Sequence, residues 1–429
     1  MKYVIVGASA AGAQAAEDLR KLDPEADIQI ITEESGPPYS RCMISRLADG
    51  RLRESELYFK TAHFAEDRRL RYVSGVRVER INAASRNVVC SNGETVAYDE
   101  LLLATGSRPW IPDIPGRELD GVISFHSLKD AKAIAARAET ARTAAVIGAG
   151  FAGLEAAYAL ARRGIQTTVV ERCGQILPNQ LDAQGAAIIQ RDLERMGVRI
   201  VLNQSVAGIL GPGRATGVAL ADKPHVQADL VVVATGTEPN KELAQQAGFE
   251  TGRGIRVSDR LQTSAPHVYA AGDAIEIDDA TTGRRMPSAT WFNAVLQGKF
   301  AAFNMAGRAR VYSGAIGIQN AVQFHRVPAI SFGQVLVPNE SRENVEVLSQ
   351  TEGDAVYKKL VLKNGRIVGL VFVGDIQKSG FYGALIRHQV DVSRYRHKLL
   401  DRDFSYAVFA GGPQFGQRSP YRNLAGLAS

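Results

Sequence analysis

The chain has 429 residues, of which 45% are hydrophobic and 22% are charged. This length allows two or three domains with buried cores, and this composition is typical of a folded protein rather than a disordered one. The net charge of +6 is not accompanied by a basic helix or an aromatic RNA-binding motif, so a nucleic-acid-binding protein is not expected. No apolar run is long enough for a membrane span, and a strand is predicted too close to residue 1 to leave room for a signal peptide. We therefore expect a cytoplasmic protein.

The three cysteines, Cys42, Cys90 and Cys173, lie far apart and form no Cys-x-x-Cys pair. This spacing predicts neither a disulfide framework nor a structural zinc site nor an iron–sulfur cluster. We expect no metal site in the chain, so any metal redox centre with which it works must lie on a partner protein.

The first strong pattern is the sequence YVIVGASAAG at residues 3–12. It consists of an apolar strand, a turn of small residues and the start of an Ala-rich helix, as in a dinucleotide-binding βα turn. Small residues let the backbone approach a pyrophosphate, and the N–H groups at the helix N-terminus meet its charge. The predicted contact residues are Gly7, Ser9, Ala10, Ala11 and Gly12. The next strand, residues 28–33, ends on Glu33, about 20 residues beyond the glycines, where an acid binds a ribose diol.

A close copy of this pattern, AVIGAGFAG, occurs at residues 145–153, and the strand that follows it ends on Glu171. Its predicted contact residues are Gly148, Gly150, Phe151, Ala152 and Gly153. A single Gly-rich turn can be a structural turn that binds nothing. Two copies in register, each with a terminal acid, predict two nucleotides on one chain.

The repeat extends over whole domains, because an apolar strand ending at residues 104–106 in Ala-Thr-Gly recurs at residues 234–236. The second copy interrupts the first, which closes with Gly272-Asp273. We predict an α/β fold with two Rossmann-like dinucleotide-binding domains, the second inserted in the first, plus a small C-terminal α/β domain. The predicted ranges are 1–109 and 255–320 for the first domain, 110–254 for the second, 321–405 for the third and 406–429 for a tail.

These motifs occur in an order that resembles the FAD- and NAD(P)-dependent pyridine-nucleotide oxidoreductase family over most of the chain. The resemblance implies that the first domain binds FAD and the inserted domain binds NAD(H). It also implies that Asp273 holds the ribityl chain of FAD and that Glu33 holds the adenosine ribose. The further FAD contacts that it implies are Glu34, Arg41, Cys42, Val78, Ala104, Thr105, Gly106, Gly272, Thr290 and Trp291, and those for NAD(H) are Glu155, Glu171, Thr235 and Gly236.

The loop at residues 37–46 and the helix predicted at residues 289–299 are similar to those of ferredoxin and rubredoxin reductases that serve oxygenases. Those enzymes have a lysine at the position of Arg46, near flavin N5, paired with a glutamate that Glu155 matches. The resemblance implies a catalytic pair of Arg46 and Glu155. Because arginine does not lose its proton, Arg46 can polarise N5 but is a poor proton donor. The alternative is a surface ion pair of little consequence.

The chemistry then follows from the two cofactors. Glu171 can accept both adenosine ribose hydroxyls of NAD and repel the 2′-phosphate of NADP, so NAD is preferred. A flavin accepts a hydride and releases electrons singly. The motif loops contain no substrate triad and no paired catalytic carboxylates. We therefore predict a flavoprotein that passes electrons between NAD(H) and a one-electron centre, an iron–sulfur centre on a partner protein.

The C-terminal part predicts a hairpin at residues 358–374 and helices near residues 380–388 and 393–400. It is similar to the nitrite-reductase-like branch of the family, including flavin subunits of iron–sulfur or tungsten oxidoreductase complexes. In the family this domain forms a homodimer interface or docks partners. Its basic residues, Lys378, Arg387, Arg394, Arg396, Lys398, Arg402 and Arg418, form either a solvated face or a dock for an acidic partner. The tail after Phe404 either frays or orders on a partner through its aromatic residues.

Two other functions remain open from the sequence. In NADH oxidases, NADH peroxidases and coenzyme A-disulfide reductases of this family, a redox-active cysteine stands at about the position of Cys42. Arg41, Arg46 and a helix N-terminus can lower the pKa of this thiol and favour the thiolate. Alternatively, Cys42 only packs beside the flavin. The remaining alternative is a dinucleotide-binding sensor or assembly subunit without turnover.

Overall fold

A computed structural model describes residues 1–61, 63–337 and 344–409. Its strands, numbered in chain order, are β1 Lys2–Val6, β2 Asp27–Thr32, β3 Arg71–Ser74, β4 Val78–Asn82, β5 Asn87–Cys90, β6 Thr95–Ala97, β7 Glu100–Leu103, β8 Ser107–Pro109, β9 Val122–Ser124, β10 Thr143–Ile147, β11 Gln166–Val170, β12 Arg199–Val201, β13 Val206–Leu210, β14 Gly217–Leu220, β15 Val226–Gln227, β16 Leu230–Val233, β17 Thr237–Pro239, β18 Ile255–Arg256, β19 Val268–Ala270, β20 Ile275–Asp278, β21 Arg285–Pro287, β22 Gln319–Gln323, β23 Pro328–Gly333, β24 Val345–Glu352, β25 Val356–Lys363 and β26 Arg366–Val373.

Its α-helices are α1 Ala10–Leu22, α2 Ile44–Ala48, α3 Phe64–Asp67, α4 Leu128–Arg137, α5 Phe151–Arg162, α6 Ala183–Arg195, α7 Glu242–Gln246, α8 Trp291–Met305 and α9 Ser379–Arg387. Short 3-10 helices lie at Arg41–Met43, Glu54–Glu56, Gly272–Ala274, Ser393–Lys398 and Tyr406–Phe409. Over the three described stretches, no helix combines the length and the apolar character needed to cross a membrane.

The chain divides into two compact units. Unit 1 consists of Met1–Trp110, His126–Leu128 and Thr237–Gly317. Unit 2 consists of Ile111–Phe125, Lys129–Gly236 and the described residues from Ile318 onward. Each unit is built around its own parallel sheet.

The parallel sheet of unit 1 has the strand order β19-β7-β1-β2-β3. Its central strands are continuous apolar runs, and Ile5 and Leu102 are fully buried. Such runs are expected of parallel strands that are covered on both faces. Helices α1 and α8 pack against each other so closely that a Cβ on Gly298 would lie 2.2 Å from the carbonyl oxygen of Ala11. A glycine at position 298 is therefore a packing requirement.

The parallel sheet of unit 2 repeats this arrangement in the order β12-β11-β10-β16-β9. In both sheets the central strand, β1 or β10, leads into a glycine turn and pairs with two parallel neighbours. One neighbour ends immediately before an acid, and the other ends immediately before the Ala-Thr-Gly sequence. Each unit also contains a three-stranded antiparallel sheet, β4-β5-β6 or β13-β14-β15. This architecture confirms the two predicted Rossmann-like repeats.

The C-terminal part of unit 2 is an antiparallel sheet of order β22-β23-β26-β25-β24 with α9 packed on β26 and β23. The predicted hairpin is β25 and β26, and its turn places Asn364 and Gly365 in the left-handed region, with φ of 49° and 72°. The predicted helix near residues 380–388 is α9. At residues 393–400 the chain forms only the shorter 3-10 helix Ser393–Lys398. The small C-terminal α/β domain is thus confirmed.

Two carboxylates, the half-buried Asp182 and the buried Asp192, fasten this sheet to helix α6. Asp182, the N-cap of α6, accepts hydrogen bonds from Lys359 Nζ at 2.7 Å and from the Tyr357 hydroxyl at 2.8 Å. Asp192 Oδ2 accepts a hydrogen bond from the backbone N–H of Val327 at 3.1 Å. Lys359 is only 7% exposed. The C-terminal sheet is therefore held to the second dinucleotide-binding domain by ionic and polar contacts.

Asp229 joins the starts of β10 and β16 and gives unit 2 a pH-dependent contact. Its Oδ2 accepts hydrogen bonds from the backbone N–H groups of Arg142 and Thr143, at 3.0 and 3.1 Å, and from the Thr143 hydroxyl at 3.0 Å. These bonds hold the pKa of the Asp229 carboxyl below its usual value. A lowered pKa in the folded state contributes stability above the unfolded pKa and loses it as the pH falls through the folded pKa.

We therefore expect Asp229→Asn to be less stable than the natural protein by about 1 kcal/mol at neutral pH. The difference should shrink below about pH 4, where aspartate in the unfolded chain is protonated. Urea denaturation over a pH series measures it. A difference that stays constant down to acidic pH would contradict this assignment.

Candidate dinucleotide-binding sites

The first glycine turn lies between β1 and α1. Gly7 has a φ of 106°, and a Cβ there would lie 2.2 Å from the carbonyl oxygen of Ala104. A Cβ on Gly12 would lie 1.9 Å from the carbonyl oxygen of Gly7. Ser9 is the N-cap of α1, and its side chain makes no capping hydrogen bond. The first N–H groups of a helix have no intrahelical partner, so this N-terminus suits an anionic ligand.

The second glycine turn, between β10 and α5, repeats this geometry. Gly148 has a φ of 103°, and a Cβ there would lie 2.4 Å from the carbonyl oxygen of Ala234. A Cβ on Gly153 would lie 2.0 Å from the carbonyl oxygen of Gly148. Gly150 has open space within 4 Å of its Cβ position. Helix α5 begins at Phe151, and its first turn also contains Ala152 and Gly153. The turn combines close internal packing with an open approach to the helix N-terminus.

The two terminal acids, equivalent in sequence, differ in their surroundings. Glu33 is exposed and forms a bidentate ion pair with Arg77, at 3.1 and 2.9 Å. Glu171 is 7% exposed, and its carboxylate accepts hydrogen bonds from the N–H groups of Ala149, at 2.8 Å, and Cys173, at 2.9 Å. Glu171 is therefore fixed against the second glycine turn, whereas Glu33 is held at the surface.

Residues near the loop after β2 form a hydrogen-bonded cluster in unit 1. Arg41 donates from Nη2 to Glu34 Oε1 at 2.8 Å and from Nη1 to the carbonyl oxygen of His126 at 3.0 Å. The Tyr39 hydroxyl donates to Glu34 at 3.0 Å and accepts from the N–H of Leu128 at 3.0 Å. Burial raises the pKa of Tyr39 to about 12, so it remains a donor at neutral pH. This cluster joins the predicted residues Glu34 and Arg41 to the segment His126–Leu128.

Asp273 lies in the 3-10 helix that follows β19. Burial raises the pKa of its carboxyl group, and a hydrogen bond from the Ser107 hydroxyl at 3.1 Å opposes that rise. His126 Nε2 donates to the carbonyl oxygen of Ser107 at 2.8 Å. The N–H of Gly272 donates to the buried side chain of Gln297 at 2.8 Å. Ser107, His126 and Gln297 were not predicted from the sequence. The available sequence signal for Gln297 was a glutamine among the apolar residues of the helix predicted at 289–299.

The Ala-Thr-Gly sequences that follow β7 and β16 differ in the contacts of their residues. The Thr105 hydroxyl donates to the carbonyl oxygen of Asn240 at 2.8 Å, and Asn240 Nδ2 donates to the carbonyl oxygen of Thr105 at 2.9 Å. Gly106 and Gly236 follow the two strands with φ of 68° and 115°, each with open space at its Cβ position. The predicted contacts Val78 and Thr235 lie at the start of β4 and after β16, respectively.

The residues predicted near the flavin ring lie on separate elements. In unit 1, the side chain of Thr290 caps α8, and Trp291 packs edge-on against Phe59 with ring centroids 5.1 Å apart. Arg46 is exposed on α2 of unit 1, and Glu155 is half-buried on α5 of unit 2. The pairing of Arg46 with Glu155 stays a prediction.

The three cysteines, all within the described residues, are thiols. Burial raises the pKa of both Cys90 and Cys173, so neither is favoured as a thiolate. Cys42 is exposed in the 3-10 helix Arg41–Met43. The guanidinium of its neighbour Arg41 is engaged by Glu34.

The residues present fit two dinucleotides, because each unit combines a glycine turn, a helix N-terminus and a following acid. This fold and these two sites are typical of the class of redox proteins that bind two dinucleotides on one chain. A sequence profile confirms the assignment: the chain belongs to the pyridine nucleotide-disulphide oxidoreductase family, which matches residues 1–298. Residues 322–390 match the C-terminal domain of rubredoxin NAD+ reductase. The protein is an oxidoreductase with FAD and NAD(H) as cofactors.

The chain covers different shares of two curated relatives. Nitrite reductase [NAD(P)H] of Bacillus subtilis is 31% identical over 91% of this chain, which spans only 48% of that protein. The NADH-dependent phenylglyoxylate dehydrogenase subunit epsilon of Aromatoleum evansii is 29% identical over 93% of this chain and 94% of its own length. The chain therefore spans about half of the first relative and nearly all of the second.

Solved structures give the same fold. A NAD-dependent persulfide reductase from A. fulgidus superposes with a TM-score of 0.87 at 26% identity, covering 100% of this chain and 83% of that one. A ferredoxin reductase from Rhodopseudomonas palustris superposes with a TM-score of 0.80 at 27% identity, covering 89% of this chain and 93% of that one.

Proposed function

We propose that this protein passes electrons between NAD(H) and a one-electron iron–sulfur centre on a partner protein, as the FAD-bearing subunit of a larger complex. The observation that carries the proposal is the pair of equivalent glycine turns, because one chain then holds both a nicotinamide and a flavin. Bound FAD supplies the exchange between a two-electron hydride and single electrons. The likeness to a ferredoxin reductase, and to a dehydrogenase subunit of nearly the same length, supports the proposed acceptor and the proposed complex.

The residues of this chain bind and orient the cofactors in this proposal. The N-terminus of α1 binds the FAD pyrophosphate, and the N-terminus of α5 binds that of NAD(H). Asp273 accepts a hydrogen bond from the ribityl chain, and Glu171 accepts hydrogen bonds from the adenosine ribose of NAD(H). Arg46 supplies a fixed positive charge near the flavin and is a poor proton donor.

The C-terminal basic residues are the proposed docking surface for the partner. The structure reduces the available charge, because Arg396 pairs with Glu346 at 2.6 Å and Arg402 pairs with Glu352 at 2.8 Å. Arg394 and Lys398 are exposed on the same 3-10 segment. In this proposal, these two basic side chains attract an acidic partner. Such attraction mainly raises the rate of association. Arg418 and the aromatic residues Phe415 and Tyr421 lie outside the described residues.

The exposure of Cys42, together with the likeness to a persulfide reductase, favours a second candidate function in which this thiol reduces a sulfur or oxygen substrate. The engagement of Arg41 with Glu34 and the carbonyl of His126 argues against it, because that guanidinium is then less able to stabilise a thiolate. The electron-transfer proposal needs no thiol chemistry.

Anaerobic stopped-flow absorbance of the purified chain mixed with NADH separates these functions. We expect the flavin band to bleach and then to recover quickly on addition of a ferredoxin or a dye, and slowly on addition of peroxide or a disulfide. Cys42→Ser should retain most of the transfer to ferredoxin. Fast recovery with peroxide or a disulfide that disappears in Cys42→Ser would favour the thiol enzyme. Absence of bleaching would favour a non-catalytic sensor or assembly subunit.

Glu171→Gln is expected to lower the preference for NADH over NADPH by roughly tenfold, since one hydrogen bond to a charged group contributes about 1.5 kcal/mol or more. The amide removes the charge that repels a 2′-phosphate and one ribose acceptor, and it can still accept from Ala149. The ratio of kcat/KM values for the two nucleotides, with a dye as acceptor, measures the change. Glu139→Gln, an exposed carboxylate of unit 2, is the control. An unchanged ratio in Glu171→Gln would remove Glu171 from ribose recognition.

A further inference from the structure

The carboxylate of Asp273 is only partly satisfied by the protein. Asp273 lies in the 3-10 helix Gly272–Ala274 of unit 1 and is half-buried. Its Oδ2 accepts a hydrogen bond from the Ser107 hydroxyl at 3.1 Å. Among the described residues, no other group donates a hydrogen bond to this carboxylate. Its second oxygen, Oδ1, is therefore available to accept a hydrogen bond from a ligand.

The backbone that carries Asp273 is fixed independently of its carboxylate. Gln297 Oε1 accepts a hydrogen bond from the N–H of Gly272 at 2.8 Å, and Gln297 Nε2 donates to the Ser288 hydroxyl at 2.8 Å. Gln297 and Ser288 are both 0% exposed. A fully satisfied polar network of this kind rigidifies the segment that it holds. The remaining freedom is the rotation of the Asp273 side chain, which the Ser107 hydroxyl restricts.

The backbone of Ser107 is held in turn. Ser107 is the first residue of β8, which pairs with β17. The chain just after β17 donates an N–H to the carbonyl oxygen of Gly106 at 2.9 Å. Because hydrogen-bonding directions alternate along an antiparallel pair, the carbonyl of Ser107 points away from β17. His126 Nε2 donates to it at 2.8 Å, and Arg41 Nη1 donates to the carbonyl oxygen of His126 at 3.0 Å. Hydrogen bonds thus connect Arg41, through His126 and Ser107, to Asp273.

The groups around Asp273 also act on its charge. Burial raises the pKa of its carboxyl group, because many protein atoms surround the group although part of it stays accessible. The Ser107 hydrogen bond and the charges of His126 and Arg41 act in the opposite direction and lower this pKa. An ionised carboxylate accepts stronger hydrogen bonds than a neutral carboxyl group does. These three neighbours therefore favour Asp273 as an acceptor.

We propose that Ser107 is a positioning residue for FAD, which turns the Asp273 carboxylate so that Oδ1 accepts a hydrogen bond from the ribityl chain, and that His126 holds Ser107 in place. This inference rests on the proposed function, in which Asp273 binds the ribityl chain. FAD binding then favours the ionised carboxylate, so the affinity for FAD falls as the pH is lowered through the pKa of Asp273 in the FAD-free protein. Loss of the Ser107 hydroxyl raises that pKa, so the fall begins at a higher pH.

Release of FAD from the loaded full chain tests this effect. The protein is diluted into FAD-free buffer over a series of pH values, and the fluorescence of the released FAD gives the dissociation constant. In Ser107→Ala, we expect this constant to rise about tenfold at the acidic end of the series, the loss expected for one hydrogen bond to a charged group. At the alkaline end the rise should stay within about twofold, because Asp273 is then ionised in both proteins. Ser107→Thr keeps the hydroxyl and should behave like the natural protein.

The His126 variants keep the proposal testable if Ser107→Ala folds poorly. At neutral pH, His126→Leu should weaken FAD binding, and His126→Gln, whose amide can donate to the Ser107 carbonyl, should recover most of the loss. Ser124→Ala is the matched control, since it removes a hydrogen bond of the same 3.1 Å length from a hydroxyl to a carboxylate, that of Asp130 in unit 2. Its dissociation constant for FAD should equal that of the natural protein.

Asp273→Asn distinguishes failure of this inference from failure of the ribityl contact. We expect Asp273→Asn to weaken FAD binding, and Ser107→Ala to add no more than about twofold in that background, because the two residues act as one unit. If Asp273→Asn binds FAD like the natural protein, the ribityl contact is wrong and the inference falls with it. If Asp273→Asn weakens binding but Ser107→Ala has no effect at any pH, or has an equal effect at every pH, the positioning role of Ser107 alone is overturned.

Discussion

Replacement of Gly153 by alanine is expected to slow the NADH-dependent bleaching of the flavin band about a hundredfold. The added Cβ would lie 2.0 Å from the carbonyl oxygen of Gly148, a backbone atom that cannot turn aside. The glycine turn and the start of α5 must therefore move apart, and a displacement of about 1 Å at a binding site costs roughly this factor in rate. We also expect unit 2 to lose about 1–3 kcal/mol of stability, as in other overpacked sites. Stopped-flow absorbance and urea denaturation measure the two effects.

Gly150→Ala is the matched control in the same turn. Its Cβ position has open space within 4 Å, and its φ is not in the left-handed region, so the folded protein can accept the methyl group. We expect a change in stability within about 0.5 kcal/mol. Any effect on NADH binding then reports contact with the nucleotide rather than damage to the fold. A Gly153→Ala protein with natural stability and a natural bleaching rate would show that this close approach is not required.

The sequence predicted the two glycine turns because their requirements are local. Gly7 and Gly12, like Gly148 and Gly153, are separated by five positions and meet each other within one strand-turn-helix unit. The spacing of such a turn is fixed by strand and helix geometry, so a motif is sufficient to locate it. The order of the two repeats along the chain was likewise sufficient to predict the two parallel sheets. Each central strand, β1 or β10, pairs with strands of its own repeat.

The sequence could not predict how the polar residues of the sites are held. Glu33 and Glu171 occupy equivalent positions, yet Glu33 pairs with Arg77 on the surface and Glu171 binds the backbone beside its glycine turn. His126 reaches the loop around Arg41 across 85 positions of sequence. Such contacts depend on how distant segments pack together, and periodicity and spacing carry no record of that packing.

The packing of the C-terminal sheet on α6 is another feature that sequence patterns did not indicate. The strand pattern of β25 and β26 predicted a hairpin, but not the surface that the hairpin covers. The covered surface includes Asp182, which is 177 positions from Lys359. A charged residue within a predicted strand is normally assigned to the solvent face. Lys359 is instead buried because its ammonium group meets a carboxylate and the carbonyl oxygen of Val335, at 2.9 Å.

Lys359→Met is therefore expected to lower the free energy of unfolding by about 1.5–3 kcal/mol, the usual contribution of a hydrogen bond to a charged group. Methionine retains the volume of the side chain but leaves the half-buried Asp182 carboxylate, whose side chain is 21% exposed, with only neutral hydrogen-bond donors. Urea denaturation of the full chain, followed by circular dichroism, measures the loss. The expected transition is also less cooperative, because the C-terminal sheet can detach from α6 before the parallel sheet of unit 2 unfolds.

Lys358→Met is the neighbouring control, since Lys358 pairs with Asp375, whose side chain is 38% exposed. We expect it to cost no more than about 1 kcal/mol, as for other partly exposed ion pairs. Adding Asp182→Asn to Lys359→Met should recover part of the loss, because asparagine remains a good N-cap for α6 and carries no charge. If Lys359→Met costs no more than Lys358→Met, or if Asp182→Asn brings no recovery, an uncompensated charge on Asp182 is not the cause. Apolar packing between the sheet and α6 would then carry the attachment.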